Sequence, residues 1–230
     1  MKYMGSKNRL AKYILPIILK NRRESQWYVE PFCGGCNTID KVSGNRIASD
    51  NHFELIEMWK AIQSGWEFPD TITETDYNRI RYDKNAPAYL KGYVGFNASY
   101  SGKWWGGMAR YTSPQGKVQQ FDKEAHRFIT RQLPYIKGII FDCKEYDALN
   151  YPDNSLIYCD PPYKDTTEYK NTFNHEEFYK WCKRMKTLGH TIFISEYTMP
   201  DYFSCVWEKE RRSSLTPEGS KWKVEKLFTL

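Results

Sequence analysis

Two adjacent prolines at the end of an apolar run constrain this chain more than any other feature. Ser155-Leu156-Ile157-Tyr158-Cys159 reads as a buried strand, and Asp160-Pro161-Pro162-Tyr163 stops it. Neither proline brings an N–H to a sheet ladder, and each restricts the residue before it. The tetrad therefore stands at a strand's carboxyl end, the edge where ligands bind in open α/β sheets.

The composition of the tetrad suits a planar amine. The lone pair of an exocyclic amino group on a nucleobase is delocalised into the ring, so the nitrogen is a poor nucleophile. An acceptor on each amino hydrogen localises that pair and stabilises the positive charge that builds during attack, which is preorganised electrostatic catalysis. Asp160 can supply one acceptor and the Pro161 carbonyl the other, held in place by the two rings. Pro162 fixes the turn and Tyr163 offers a ring face. Stacking a base on an aromatic is worth about 1–3 kcal/mol, comparable to the cost of drawing it from a duplex. Read alone, the tetrad also fits a proline turn carrying an incidental Asp; the upstream segment decides between the two.

That segment is Tyr28-Val29-Glu30-Pro31-Phe32-Cys33-Gly34-Gly35-Cys36-Asn37-Thr38. A short β-rich run enters a glycine pair and then a helix-start pattern, so the backbone can approach a ligand where the strand ends. A second strand-like run, Arg46-Ile47-Ala48-Ser49, ends in Asp50, placed to meet ribose hydroxyls. The chain contains neither G-x-G-x-x-G nor G-x-x-x-x-G-K-[ST], which argues against a dinucleotide and against a phosphate-cradling loop. A nucleoside-containing ligand without pyrophosphate fits, such as S-adenosylmethionine, whose sulfonium favours nearby carboxylates.

With Lys2-Tyr3-Met4-Gly5-Ser6-Lys7 at the start of the sequence, K-Y-M-G-S-K, E-P-F-C-G-G-C-N-T, S-D-N-H and D-P-P-Y stand in one order. Together they resemble the adenine-N6 DNA methyltransferases of the DNA adenine methylase type (D12 class, alpha motif order), which include many phage-encoded members. The resemblance runs from residue 1 to about residue 200. It implies an α/β, Rossmann-like S-adenosylmethionine-dependent methyltransferase fold with an inserted DNA-recognition subdomain: a discontinuous catalytic domain, 1–65 and 135–230, interrupted by a target-recognition insert, 66–134. It implies that Tyr3 and Lys7 contact S-adenosylmethionine, that Phe32, Gly34 and Gly35 floor the cofactor, that Asp50 binds its ribose, and that Asp160 touches both cofactor and target adenine. Glu145-Tyr146 stands where the family places residues beside the cofactor's adenine ring, or is a strand end followed by a solvated loop. Ser195-Glu196-Tyr197 resembles a segment lining the target pocket.

Aromatic residues concentrate between Tyr89 and Tyr111, interleaved with Lys91, Lys103 and Arg110. The glycines there predict a shaped loop or hairpin over 92–111. Within it Asn97, Tyr100, Lys103, Trp104 and Arg110 are candidate DNA-binding residues. Lys103 and Arg110 would meet phosphates or guanine edges, and Tyr100, Trp104 or Trp105 would wedge beside an extruded base, the alternative being that the tryptophans form a small core. Residues 99–107 depart from the hairpin of relatives that methylate GATC.

Cys33 and Cys36 form C-x-x-C, but the remaining cysteines and the four histidines are scattered, so no metal is expected and small residues in a tight loop are the simpler account. Scattered thiols with no signal-peptide pattern point to a reducing cytoplasm, that of a bacterium or a phage-infected cell. No apolar stretch approaches the ~20 residues of a membrane span. The net charge of +6 permits a polyanionic partner, double-stranded DNA by the resemblance. Oligomeric state has no sequence signal. The competing readings are another exocyclic-amine methyltransferase, acting on cytosine N4 or RNA adenine, and a metal-stapled DNA-binding module without catalysis.

Helices are expected over 8–19, 51–62, 122–132 and from Asn174, where Glu177 completes a capping box and Gly189 is the stop. Alternation over 222–228 predicts a final strand paired as a hairpin with the strand near 205–207.

Overall fold

A computed structural model describes residues 1–110, 121–164, 173–213 and 221–230. Among them lie seven strands: β1 (Tyr28–Glu30), β2 (Arg46–Ser49), β3 (Ile139–Asp142), β4 (Leu156–Cys159), β5 (Thr191–Glu196), β6 (Ser204–Ser213) and β7 (Lys221–Thr229). The helices among the described residues are α1 (Ala11–Ile18), α2 (Phe53–Gln63), α3 (Glu74–Tyr82), α4 (Ala88–Asn97), α5 (Phe121–Ile136) and α6 (His175–Thr187). The strands form one sheet in the order β3-β2-β1-β4-β5-β7-β6. The first five run parallel, and β7 runs antiparallel to both of its neighbours. The order turns back at β1 and β4, whose carboxyl ends are therefore adjacent, with a crevice between the loops that follow them.

Alternation along the strands sends side chains to two cores. Tyr28, Ala48, Leu156, Tyr158 and Leu227 face α1, α2, α4 and α5, where Trp59 and Ile129 are fully buried. Val29, Ile47, Ile157, Ile192, Ile194 and Phe228 face α6 through Phe178, Cys182 and Met185. Among the described residues no helix is long and apolar enough to cross a membrane.

The expected elements are present with shifted ends. The first three expected helices become α1, α2 and α5, with α5 running on through Pro134 to Ile136. The side chain of Asn174 caps α6 by accepting the Glu177 N–H at 3.2 Å. Leu188, just before the Gly189 stop, is exposed. β6 and β7 form the expected hairpin, which closes onto β5.

One expectation fails at its first half. Residues 92–97, expected in a loop, are the last turns of α4. Gly92 is helical because α4 crosses α2 so closely that a Cβ there would lie 2.0 Å from the Glu54 carbonyl oxygen. The glycine serves close helix packing, and the neighbouring Tyr93, Val94 and Phe96 join the core of α2. The hairpin expectation holds only for 98–109, where Tyr100 N–H donates to the Gly107 carbonyl and Ala109 N–H to the Ala98 carbonyl.

Candidate active site

The loops after β1 and β4 are joined by the segment Tyr3–Lys7, which turns on the Ser6 N–H to Tyr3 carbonyl bond. At one end the Tyr3 ring lies on the glycine pair. Gly34 has φ +45°, and a Cβ on it would sit 2.6 Å from that ring. At the other end the Lys7 ammonium, almost wholly buried, lies 2.8 Å from Asp160 Oδ1 and 3.4 Å from Glu225 Oε1. It also stands 4.6 Å above the Tyr163 ring. One five-residue strap thus spans the crevice from the glycine turn to the tetrad.

The glycine turn is held from three sides. Gly34 N–H donates to Asp50 Oδ2 at 3.1 Å, Cys33 N–H donates to the Ser49 carbonyl at 2.8 Å, and Trp59 Nε1–H donates to the Gly34 carbonyl at 3.0 Å. Asp50 Oδ1 accepts from His52 N–H at 3.1 Å. Burial raises the Asp50 pKa against the pull of these two donors. Phe32, on the rim, stacks against Tyr146 at 5.5 Å. Asn51 donates to Glu145 Oε1 at 2.9 Å, so the ends of β1, β2 and β3 bring Phe32, Asp50, Glu145 and Tyr146 to one side of the crevice.

Around the tetrad acids gather: Glu196 from the segment that the resemblance singled out, and Glu225 and Glu30, to which it assigns no role. The Tyr163 hydroxyl donates to Glu225 Oε1 from β7, and its ring stands edge-on to Tyr197 at 4.7 Å. Glu196 accepts the N–H of Lys164 at 2.9 Å and of Tyr197 at 2.7 Å, so the end of β5 holds the residue that follows the tetrad. Burial pushes the Glu196 pKa up to about 7. Glu30, 1% exposed and bonded by the Tyr28 hydroxyl at 2.8 Å, is pushed by burial to about 8. Asp160 is raised by burial, while Lys7 beside it pulls the other way and keeps the charged form accessible. Its side chain retains 22% exposure, which leaves it open to a ligand.

Glu225 was invisible in the sequence because an acid in an alternating strand reads as a solvent-facing residue. Glu30 was quoted but given no role, since its significance depends on what is buried over it.

The candidate DNA-binding residues divide. Tyr100 (65% exposed), Lys103 and Arg110 are on the surface, with Arg110 ion-paired to Glu74. Trp104 is half-buried, its ring 4.4 Å from His52 and 4.9 Å from Phe96, and Trp105 packs on Tyr77 at 5.0 Å. Asn97 is a correction: it is 2% exposed, its amide donating to the Tyr93 carbonyl at 3.1 Å inside α4, so it presents nothing to a surface. Tyr111 lies outside the described residues.

Cys33 and Cys36 are both buried, and burial raises both thiols, which disfavours the thiolate a metal requires. Among the described residues no group of three or more His, Cys, Asp or Glu side chains is placed to hold a metal.

The sheet order with its reversed strand, and a tetrad beside a glycine turn, define a protein of the methyltransferase fold. The family model of D12 class N6 adenine-specific DNA methyltransferase matches residues 3–101. Modification methylase StsI of Streptococcus sanguinis is 24% identical over 240 residues, covering 93% of this chain and 36% of that protein. Type II methyltransferase M.CviBI of Paramecium bursaria Chlorella virus NC1A is 29% identical over 220 residues, 82% of each. Type II methyltransferase M.FokI of Planomicrobium okeanokoites is 24% identical over 199 residues, 76% of this chain and 30% of that protein. The chain thus spans about a third of two of these relatives and about four-fifths of the third. Over residues 3–101 the chain is thus similar to the D12 class of N6 adenine-specific DNA methyltransferases.

Proposed function

We propose that the protein transfers the methyl group of S-adenosylmethionine to the N6 amino group of adenine within a specific double-stranded DNA sequence, the base being extruded from the helix. The observation that carries this reading is the strap Tyr3–Lys7, which ties the Gly34-Gly35 turn to Asp160 across one crevice. S-Adenosylmethionine supplies an electrophilic methyl and a thioether leaving group. The crevice fits it. Gly34 and Gly35 let the Tyr3 ring lie against the turn, Asp50 offers a carboxylate to ribose hydroxyls, and Phe32 with Tyr146 offers an aromatic wall. Tyr3 and Lys7 line the remaining side.

The residues of the tetrad then divide the work. Asp160 and the Pro161 carbonyl accept the two amino hydrogens, Pro162 fixes the carbonyl's direction, and Tyr163 stacks on the base. As the N–C bond forms and the methyl–sulfur bond breaks, charge on the nitrogen would be stabilised by those two acceptors, and the amine would afterwards pass one proton to solvent. Burial raises the Asp160 pKa, and Lys7 beside it opposes that rise and favours the charged form. No nucleophilic cysteine takes part; Cys159 is a buried strand residue with its thiol raised by burial.

Residues 1–65 and 135–230 make the catalytic part in this reading, and 66–134 the target-recognition part, where Tyr100, Lys103 and Arg110 face the DNA and Trp104 supports the loop. The test is to incubate the protein with S-adenosylmethionine and mixed-sequence duplex, digest to nucleosides and identify the modified base. N6-methyladenine is expected. N4-methylcytosine, or modification of RNA alone, would replace this reading.

A further inference from the structure

On β7, Lys226 is paired with Glu196, the last residue of β5. The next residue outward, Glu225, therefore stands just past the carboxyl edge of the sheet, level with the tetrad that ends β4. Alternation gives its side chain the face of Leu227, which is buried in the core against α1. An acid on that face is unexpected, and this one is only 2% exposed.

What it touches gives the reason. One oxygen, Oε1, accepts the Tyr163 hydroxyl and lies 3.4 Å from the Lys7 ammonium, and the same ammonium lies 2.8 Å from Asp160 Oδ1. Two carboxylates thus share one buried cation. An excess of buried negative charge costs stability, and an apolar residue facing α1 would serve the sheet better. It suits the chemistry instead. Burial raises the Asp160 pKa, Lys7 pulls it down, and the charge of Glu225 pushes it up again. A lysine divided between two acids neutralises Asp160 less than one devoted to it, so Asp160 stays a strong acceptor where positive charge develops.

We propose that Glu225 is a positioning residue for methyl transfer, a single carboxylate oxygen fixing the stacking ring through the Tyr163 hydroxyl and aiming Asp160 at the amine through Lys7. The inference rests on the reading of the protein as an adenine methyltransferase and adds to it a residue from the strand that closes the sheet, outside the motifs that carried the resemblance. Misplacing a reacting group by about 1 Å can cost on the order of a hundredfold in rate. Glu225 holds two such groups at once, the ring and the acceptor, and Tyr197 supports the same ring edge-on at 4.7 Å.

The test compares wild type with Glu225→Gln, Tyr163→Phe and the double variant in steady-state methylation of duplex, with thermal melting on the same preparations. Glutamine keeps the shape and loses the charge, while phenylalanine keeps the ring and loses the hydroxyl. Glu225→Gln is expected to lower kcat about tenfold, with the KM values for duplex and S-adenosylmethionine and the melting temperature near those of wild type. Tyr163→Phe should lower kcat severalfold. Because both variants weaken one shared contact, the double variant should lose clearly less than the product of the single losses. A kcat within about twofold of wild type in folded Glu225→Gln, a loss confined to KM, or losses that multiply in the double variant overturns the proposal. Should Glu225→Gln fail to fold, Tyr163→Phe decides: a severalfold loss of kcat sustains the proposal, and an unchanged kcat overturns it. If wild type forms N6-methyladenine and the variants match it, only the role of Glu225 falls. If wild type methylates no adenine, the reading beneath it falls as well.

Discussion

The crevice between β1 and β4 and the loop at 98–110 are built on opposite plans. In the crevice nearly every polar group is spoken for by a buried neighbour: Gly34 by Asp50 and Trp59, Asp160 by Lys7, Tyr163 by Glu225, and Lys164 by Glu196. In the loop the backbone is pinned at Tyr100 and Ala109, and the side chains of Tyr100, Lys103 and Arg110 are exposed, Arg110 in a surface ion pair with Glu74. Chemistry on an amine needs two acceptors within tenths of an ångström, so it requires a rigid surround. Recognition needs side chains that suit one target, and a stiff backbone beneath them is enough. The contrast teaches that a buried, mutually bonded site and an exposed loop place different demands on their residues.

The comparison can be broken where it is strongest. Asp160→Ala should lower kcat by about a thousandfold or more while leaving the melting temperature near that of wild type, as it removes an acceptor and keeps the sheet. Steady-state methylation of duplex with a thermal melt checks it, and activity close to wild type would refute the role given to Asp160.

Gly34→Ala should act next most strongly. The added Cβ would press into the Tyr3 ring from a backbone already at positive φ, so the strap must lift. S-Adenosylmethionine affinity is expected to fall by about tenfold or more, with duplex affinity little changed, as measured by calorimetry with each ligand.

A smaller effect of the opposite kind is expected at the loop. Lys103→Ala should weaken duplex binding by a few fold, mostly at low salt, and leave S-adenosylmethionine binding alone. Equal losses for both ligands would erase the distinction between the regions.

The smallest effect is one of pH. Glu30 is raised from the usual 4.5 to about 8, so between those values the folded protein holds a proton that the unfolded chain has released. The stability contributed by this group is complete below about pH 4.5 and is lost as pH rises through about 8. Glu196, raised to about 7, adds in the same direction. Thermal melts from pH 5 to 9 should show wild type losing a few degrees more than Glu30→Gln, which mimics the protonated acid. Parallel curves would mean that Glu30 does not titrate in this range.

What could be read from the letters follows the same division. The tetrad and the glycine turn were legible because their chemistry demands particular residues at the ends of strands, and the Asn174 cap because its partner is three residues away. Gly92 was misread because its reason for being glycine lies on another helix, at the Glu54 carbonyl. Asn97 was misassigned for the same reason: polar and beside aromatics, it suggests a surface until α4 buries it on α2. Glu225 escaped notice because its partners, Lys7 and Tyr163, come to it only through the sheet. Local grammar reveals turns and caps; it is silent on partners brought together by topology.

The meeting of Lys7 with Glu225 has a consequence for how the site comes into being. Residues so distant along the polypeptide can touch only after β7 has been threaded between β5 and β6, and such long-range closure is slow. Until that insertion, Lys7 and Tyr163 lack the carboxylate that neighbours both of them. On the function proposed above, the surround of Asp160 and Tyr163 is therefore complete only once the sheet is, and a half-folded chain carries the motif without it.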